Sequence, residues 1–222
     1  MSKKIGIVGW KSQEHFGVSL PYLEYLSKYG KIEIFLPDEG IKKDLDLLVL
    51  PGGPDVNPYC YGQVPGFRTG NQDVYKQYFF DQNLKQYIDN GTPIFGICLG
   101  LQQIGVMFGS ELVQDMLYTP YSNPRTELVE ELSINKPGLN RLFPLLKQQG
   151  TNVDQKVKVN SLHHQCLQNI GEEFDVIATS KSTHTIEAIL HKELPIGGVQ
   201  WHPEEIGDNW ISRSIMKTLL NK

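Results

Sequence analysis

At Cys98 an apolar run breaks off. Ile94-Phe95-Gly96-Ile97 has the continuous hydrophobicity of a buried strand. Gly96 and Gly100 flank the cysteine two residues away on either side, and Leu101, Ile104, Gly105 and Phe108 follow at helical spacing. A strand that turns at once into a helix must double back sharply, and small residues at minus two and plus two are what let it do so. The turn lifts the thiol clear of the backbone at the amino end of a helix. There the N–H groups and the positive end of the dipole favour thiolate, the reactive form. The alternative is a buried cysteine in a βα turn, since free Cys is among the most buried residue types.

The segments around this turn alternate. Ile5–Gly9 reads as a buried strand, and Leu20–Tyr29 as a helix with Gly30 as its stop. Lys31–Leu36 and Leu45–Leu50 read as strands, Asp73–Asn90 as one long amphipathic helix, Pro93–Cys98 as a strand and Leu101–Phe108 as a helix. This order predicts an α/β fold of flavodoxin-like, doubly wound type: a mostly parallel sheet with helices on both faces and reactive loops at the carboxyl ends of the strands. Beyond Gly109 the pattern turns β-rich. Glu111–Asp115, Thr126–Leu132, Lys156–Ser161, Glu173–Thr179, Thr185–His191 and Ile196–Gln200 read as strands. Asn209–Leu220 reads as a closing helix with Asp208 as its cap. Lys136-Pro137-Gly138 and Gln148-Gln149-Gly150 read as loop punctuation. With no internal repeat or linker, residues 1–222 are expected to form a single domain.

A net charge of −4 on 222 residues excludes a strongly basic nucleic-acid or anionic-membrane surface. No apolar stretch reaches the roughly 20 residues of a membrane helix, and Met1 to Trp10 lacks the pattern of a signal peptide. Cys60, Cys98 and Cys166 are an odd number without framework spacing, so free thiols and a cytoplasmic location are expected.

A thiol nucleophile needs a base, a group to orient that base and donors for the oxyanion. Val199-Gln200-Trp201-His202-Pro203-Glu204 follows a strand-like run and sets an imidazole two residues from a carboxylate, on what reads as a stiff, extended turn. Pro51-Gly52-Gly53-Pro54 follows another strand and can bring a bare N–H up to a substrate oxygen. The Leu99 N–H, directly after the cysteine, is the second candidate donor. His163, His164, His202 and Cys98 lack the ligand spacing of zinc sites, so neither a metal nor a cofactor is expected.

Taken together, these residues resemble the class I glutamine amidotransferase superfamily. The resemblance rests on Gly96-Ile97-Cys98-Leu99-Gly100-Leu101-Gln102 and Gly198-Val199-Gln200-Trp201-His202-Pro203-Glu204. Leu50 to Gly62 and Val159-Asn160-Ser161-Leu162-His163-His164-Gln165 are similar to signatures of its γ-glutamyl hydrolase branch, the γ-glutamyl-4-aminobutyrate hydrolase or peptidase C26 type. The resemblance implies that Cys98 attacks a γ-carbonyl, that His202 transfers protons and that Glu204 orients His202. Gly53 and Leu99 would form the oxyanion hole, and Gln102 with His163, His164 and Gln165 would hold the glutamyl portion. One departure is Leu99. Many members of the branch have arginine there, whereas glutaminase subunits that feed a synthetase have leucine.

The expected activity is therefore hydrolysis of a small γ-glutamyl amide through a Cys thioester, with a small-molecule substrate and no cofactor. The alternative is a glutaminase subunit that delivers ammonia to a separate synthetase partner, and a non-catalytic binding module is the third reading. Asn57–Asp73, with Tyr59, Tyr61, Phe67 and Arg68, reads either as a wall over the leaving group or as a surface loop held by its tyrosines. Arg68 and Arg125 are candidates for holding an anionic leaving group. By resemblance the substrate is γ-glutamyl-4-aminobutyrate, a folate polyglutamate or a γ-glutamyl nucleotide phosphoramidate, with an amine, an amino acid or the phosphoramidate nucleotide leaving, and the sequence does not choose among them.

Overall fold

In the computed structural model, which describes residues 2–11, 14–118 and 129–221, the chain begins with β1 (Lys4–Val8) and a short hairpin, β2 (Trp10–Lys11) and β3 (Phe16–Gly17). Next come α1 (Leu20–Leu26), β4 (Lys31–Phe35), β5 (Leu47–Leu50), α2 (Val74–Phe79) and α3 (Lys85–Asp89). They lead to β6 (Ile94–Ile97) and α4 (Leu99–Met107). The rest comprises β7 (Leu112–Val113), β8 (Val129–Ile134), α5 (Phe143–Gln148), β9 (Lys158–Asn160), β10 (Cys166–Leu167), β11 (Phe174–Ser180), β12 (Ile186–His191) and β13 (Ile196–Val199). Two helices close the chain, α6 (Pro203–Ile206) and α7 (Trp210–Leu220).

Nine strands form one sheet in the order β4-β1-β5-β6-β13-β12-β11-β8-β9. The first five run parallel, and β12, β11, β8 and β9 extend them antiparallel. This is the α/β, doubly wound architecture with an added β-rich part. Alternation along β5 shows why its strands read as unbroken apolar runs. Leu47 and Val49 join a cluster with Tyr25 of α1 and Ile215 of α7, while Leu48 and Leu50 join another with Phe79 of α2 and Ile104 of α4. Both faces are covered, as a parallel sheet requires. Each such fully buried leucine contributes on the order of 1.5–3 kcal/mol of transfer free energy.

Several local expectations need correction. The helix expected over 73–90 contains a π turn at Phe80–Leu84. The wider turn brings two consecutive rings, Phe79 and Phe80, into the core, which a regular 3.6-residue repeat would splay apart. The stretch 136–150 is not only loop. Leu139, Leu142 and Leu146 are buried through a 3₁₀ turn (Lys136–Leu139) and α5, a spacing disguised by Pro137, Gly138 and Pro144. Asn209, not Asp208, caps α7: its side chain accepts the N–H groups of Ile211 and Ser212 at 2.9 and 3.1 Å. Asp208 instead accepts from Tyr29, Ser212 and Arg213. The strand expected at 111–115 shrinks to β7, paired with β10 outside the main sheet. Among the described residues no helix is long and apolar enough to cross a membrane.

Candidate active site

Strand β6 delivers Cys98 and its hydrogen-bonded parallel neighbour β13 delivers His202, both at carboxyl ends. The Cys98 N–H donates to Val199 O at 2.9 Å, so the ladder between the strands runs on to the cysteine itself. Cys98 has φ 52°, a left-handed backbone that costs a side-chain-bearing residue on the order of 1–3 kcal/mol. The flanking glycines explain how the turn fits. A Cβ on Gly96 would lie 2.5 Å from the backbone of Gly100, and one on Gly100 would lie 2.2 Å from Leu50 O.

His202 precedes α6, and Pro203 opens that helix rather than holding an extended turn as expected. Proline suits the first helical position because its missing N–H is not needed there. The first turn brings Glu204 Oε1 to 2.7 Å from His202 Nδ1. The imidazole also interacts with the neighbouring Cys98 thiol. Burial disfavours the imidazolium, yet the hydrogen bonds and charges of Cys98 and Glu204 outweigh it and raise His202 to about 10. Asn160 Oδ1, at the end of β9, accepts the His202 backbone N–H at 2.9 Å.

Cys98, Gly53 and Gln102 line one cavity of about 370 Å³, together with Pro54, Asp55, Gly70 and the segment Leu162 to Gln165. Leu99 opens α4, so its N–H has no acceptor within the helix. The Gly53 N–H has no acceptor among the described residues. The Gln102 amide donates to Gln165 O at 3.0 Å and to Gln200 Oε1 at 3.2 Å. His163 is buried. Burial drives its imidazole down to about 4, so it is neutral at pH 7, and its Nδ1 lies 2.8 Å from Gln165 O. His163 and Gln102 thus hold the same carbonyl. His164 is more open and pairs through Nε2 with Asp55 Oδ1 at 2.8 Å.

The structure separates the other candidates from this group. Tyr61 is packed into the core against the β5 side of the sheet and is not on the cavity wall. Arg68 is half-exposed, with Nε 3.6 Å from Asp115 Oδ2, outside the cavity lining. Arg125 lies outside the described residues.

Three residues at the site carried no local signal. Tyr22 of α1 accepts the Gly52 N–H at 2.8 Å and lies beside Glu204. Burial, followed by that carboxylate, pushes the Tyr22 phenol far above its usual range, so it stays protonated. Lys76 of α2 donates to Gly52 O at 2.6 Å and interacts electrostatically with Cys98. Asp55 accepts from Gly70 N at 2.6 Å as well as pairing with His164. Each acts across the gap between elements, and only helical periodicity for Tyr22 hinted that it faces inward.

A nine-stranded α/β sheet with cysteine, histidine and glutamate gathered at adjacent strand ends is the arrangement of the class I glutamine amidotransferases. The profile of the Peptidase C26 family matches residues 10–204, and the chain belongs to that family. Glutamine amidotransferase-like protein YvdE of Lactococcus lactis subsp. lactis is 31% identical over 196 residues, covering 82% of this chain and 78% of its own. The glutamine-hydrolysing GMP synthase subunit of Pyrococcus furiosus is 29% identical, covering 88% of this chain and 81% of its own. A crystal structure assigned to a GMP synthase subunit from Thermoplasma acidophilum superposes with a TM-score of 0.66 at 23% identity, covering 100% of this chain and 94% of that one. The family is that of cysteine-based amide hydrolases of glutamine amidotransferase type.

Proposed function

We propose that this chain, acting alone, hydrolyses the γ-glutamyl amide bond of a small γ-glutamyl compound. The observation that carries the reading is that Cys98, Gly53 and Gln102 line one cavity built from this chain alone, while the His202–Glu204 pair stands beside Cys98.

With His202 held as imidazolium, Cys98 attacks the γ-carbonyl as thiolate. The tetrahedral oxyanion forms between the Gly53 and Leu99 N–H groups, which act where charge develops. His202 then gives its proton to the departing nitrogen, the C–N bond breaks and a thioester to Cys98 remains. In the second half His202 takes a proton from water, the resulting hydroxide attacks the thioester, and glutamate leaves as the thiolate–imidazolium pair is restored. The sum is amide plus water to glutamate plus amine. Glu204 keeps the ring in place through both halves. Gln102, Gln165 and the His164–Asp55 pair face the cavity that would receive the glutamyl portion.

A second reading has its own support. Relatives named as glutamine-hydrolysing GMP synthase subunits, and leucine rather than arginine after the nucleophile, favour a glutaminase that serves a synthetase partner. Glutamate release from a panel of γ-glutamyl amides and from glutamine, with the purified chain alone, separates the two. Faster cleavage of an amide than of glutamine is expected. Activity on glutamine only, and only after a synthetase is added, would overturn the stand-alone reading.

A further inference from the structure

Lys76 is unusual for a lysine. Its side chain is 12% exposed, its Nζ donates to Gly52 O at 2.6 Å, and its other charged partner, Asp73 on the same turn, is 3.5 Å away. Burial lowers its pKa, with Asp73 and Cys98 opposing the shift. The ammonium is therefore anchored on the loop after β5, at Gly52 O. Its own backbone is fixed too: Lys76 O accepts the Gln103 side-chain amide of α4 at 3.1 Å. Asp73 caps the turn by accepting the N–H groups of Tyr75 and Lys76 at 2.9 and 3.1 Å.

The bond to Gly52 O has a geometric consequence. The chain has no cis peptide among the described residues, and in a trans peptide the C=O and the following N–H lie in one plane and point in opposite directions. Whatever grips Gly52 O therefore also aims the Gly53 N–H. Gly52 is gripped at its other end as well, because its own N–H is donated to Tyr22. Two consecutive peptide groups are thus held by side chains from α1 and α2, while the Gly53 N–H is left without an acceptor at the cavity that holds Cys98. A loop reading Pro-Gly-Gly-Pro has little intrinsic reason to keep one peptide orientation, since glycine takes either sign of φ. A charge-assisted bond from a mostly buried ammonium supplies that reason.

We propose that Lys76 is a positioning residue for the oxyanion hole: by holding the Gly52 carbonyl it locks the Gly52–Gly53 peptide with the Gly53 N–H turned toward the cavity, so the site is complete without a partner chain. This rests on the hydrolase reading above and supplies the reason a stand-alone enzyme of this kind keeps its oxyanion donor in place.

The test uses Lys76→Met, which keeps most of the aliphatic stem and removes the donor. On whichever γ-glutamyl amide or glutamine the wild type cleaves, kcat should fall about 10- to 100-fold, somewhat less than outright loss of an oxyanion donor, with KM within about 3-fold. Alkylation of Cys98 by iodoacetamide, which displaces iodide and forms no oxyanion, should stay within about 3-fold of wild type. A crystal structure of the variant should show the Gly52–Gly53 peptide rotated or in two orientations. An unchanged kcat, or an alkylation rate that falls in step with kcat, would overturn the proposal, the latter by assigning Lys76 to the thiolate itself. If the wild type cleaves neither amides nor glutamine, the hydrolase reading fails by itself. The crystal structure then decides the clamp: a rotated peptide upholds it and an unmoved one overturns it.

Discussion

His202 Nδ1 and Glu204 Oε1 lie 2.7 Å apart across one proline that begins a helix. Burial opposes a charge on the ring, but Cys98 and this contact with Glu204 favour the protonated imidazole and push the group up to about 10 from near 6.5. A folded-state value raised in this way binds a proton that the unfolded chain releases. Its stabilisation is complete below about 6.5 and is lost as pH rises through about 10. The His202 ring signal in an NMR titration should accordingly stay in its protonated form across neutral pH. In urea unfolding, the advantage of wild type over His202→Asn should shrink steadily between those two limits. A ring that titrates near 6.5 would refute the ion pair.

Cys98→Ala should abolish turnover with the fold intact, because the nucleophile alone is lost. A glutamine-like electrophile should add one label, at Cys98. Cys166 is sealed in the interior with its thiol pushed up to about 12 by burial, and burial also raises Cys60. Intact-mass and peptide mapping check this, and even labelling of all three thiols would count against an activated nucleophile.

Gly96→Ala and Gly100→Ala should each destabilise the chain, since the new methyl would meet backbone rather than a yielding side chain. Overpacking of this kind costs about 1–3 kcal/mol. That corresponds to roughly 2–12 °C in Tm for a chain of this size. Calorimetry decides, and a Tm unchanged in both variants would mean that the elbow has slack.

Asn209→Ala should cost about 1 kcal/mol through loss of the α7 cap. Asp208→Ala removes contacts to Tyr29, Ser212 and Arg213 instead of a cap. Helix-specific hydrogen exchange distinguishes them: fraying at Ile211 and Ser212 should follow the first substitution and not the second. Equal fraying in both would return the capping role to Asp208.

What the sequence disclosed was what depends on neighbours in the chain. The Cys98 elbow, the His202–Glu204 spacing and the five parallel strands are written in short stretches, because strand burial and sharp turns have local signatures. Lys76 and Asp55 were silent, since their meaning arises only when α2 and the 162–165 segment close on the loop after β5. Tyr22 looked like one more tyrosine on a helix face. Phe143–Gln148 was hidden by Pro144 and the nearby Gly138, which punctuate a loop and start a helix equally well. The π turn at Phe80–Leu84 answers a packing demand of the folded core that periodicity does not record. Tyr61 and Arg68 were drawn in by the aromatic loop around them, but a residue's side of a loop is set by what it packs against.

Strands β6 and β13 touch directly, although most of the second half of the chain is folded between them. Cys98 and His202 thus leave neighbouring strands about 4.8 Å apart, a spacing fixed by backbone hydrogen bonds. The intervening excursion can lengthen, shorten or exchange its loops and leave that spacing alone. If the proposed hydrolysis holds, a change of leaving group calls for rebuilding the outer loops of the excursion and the loop after β5, while the strand ends that carry Cys98 and His202 keep their places. Grafting those outer loops from a relative, with Asn160 and β12 retained, tests whether specificity can change while the Cys98–His202 arrangement stays as it is.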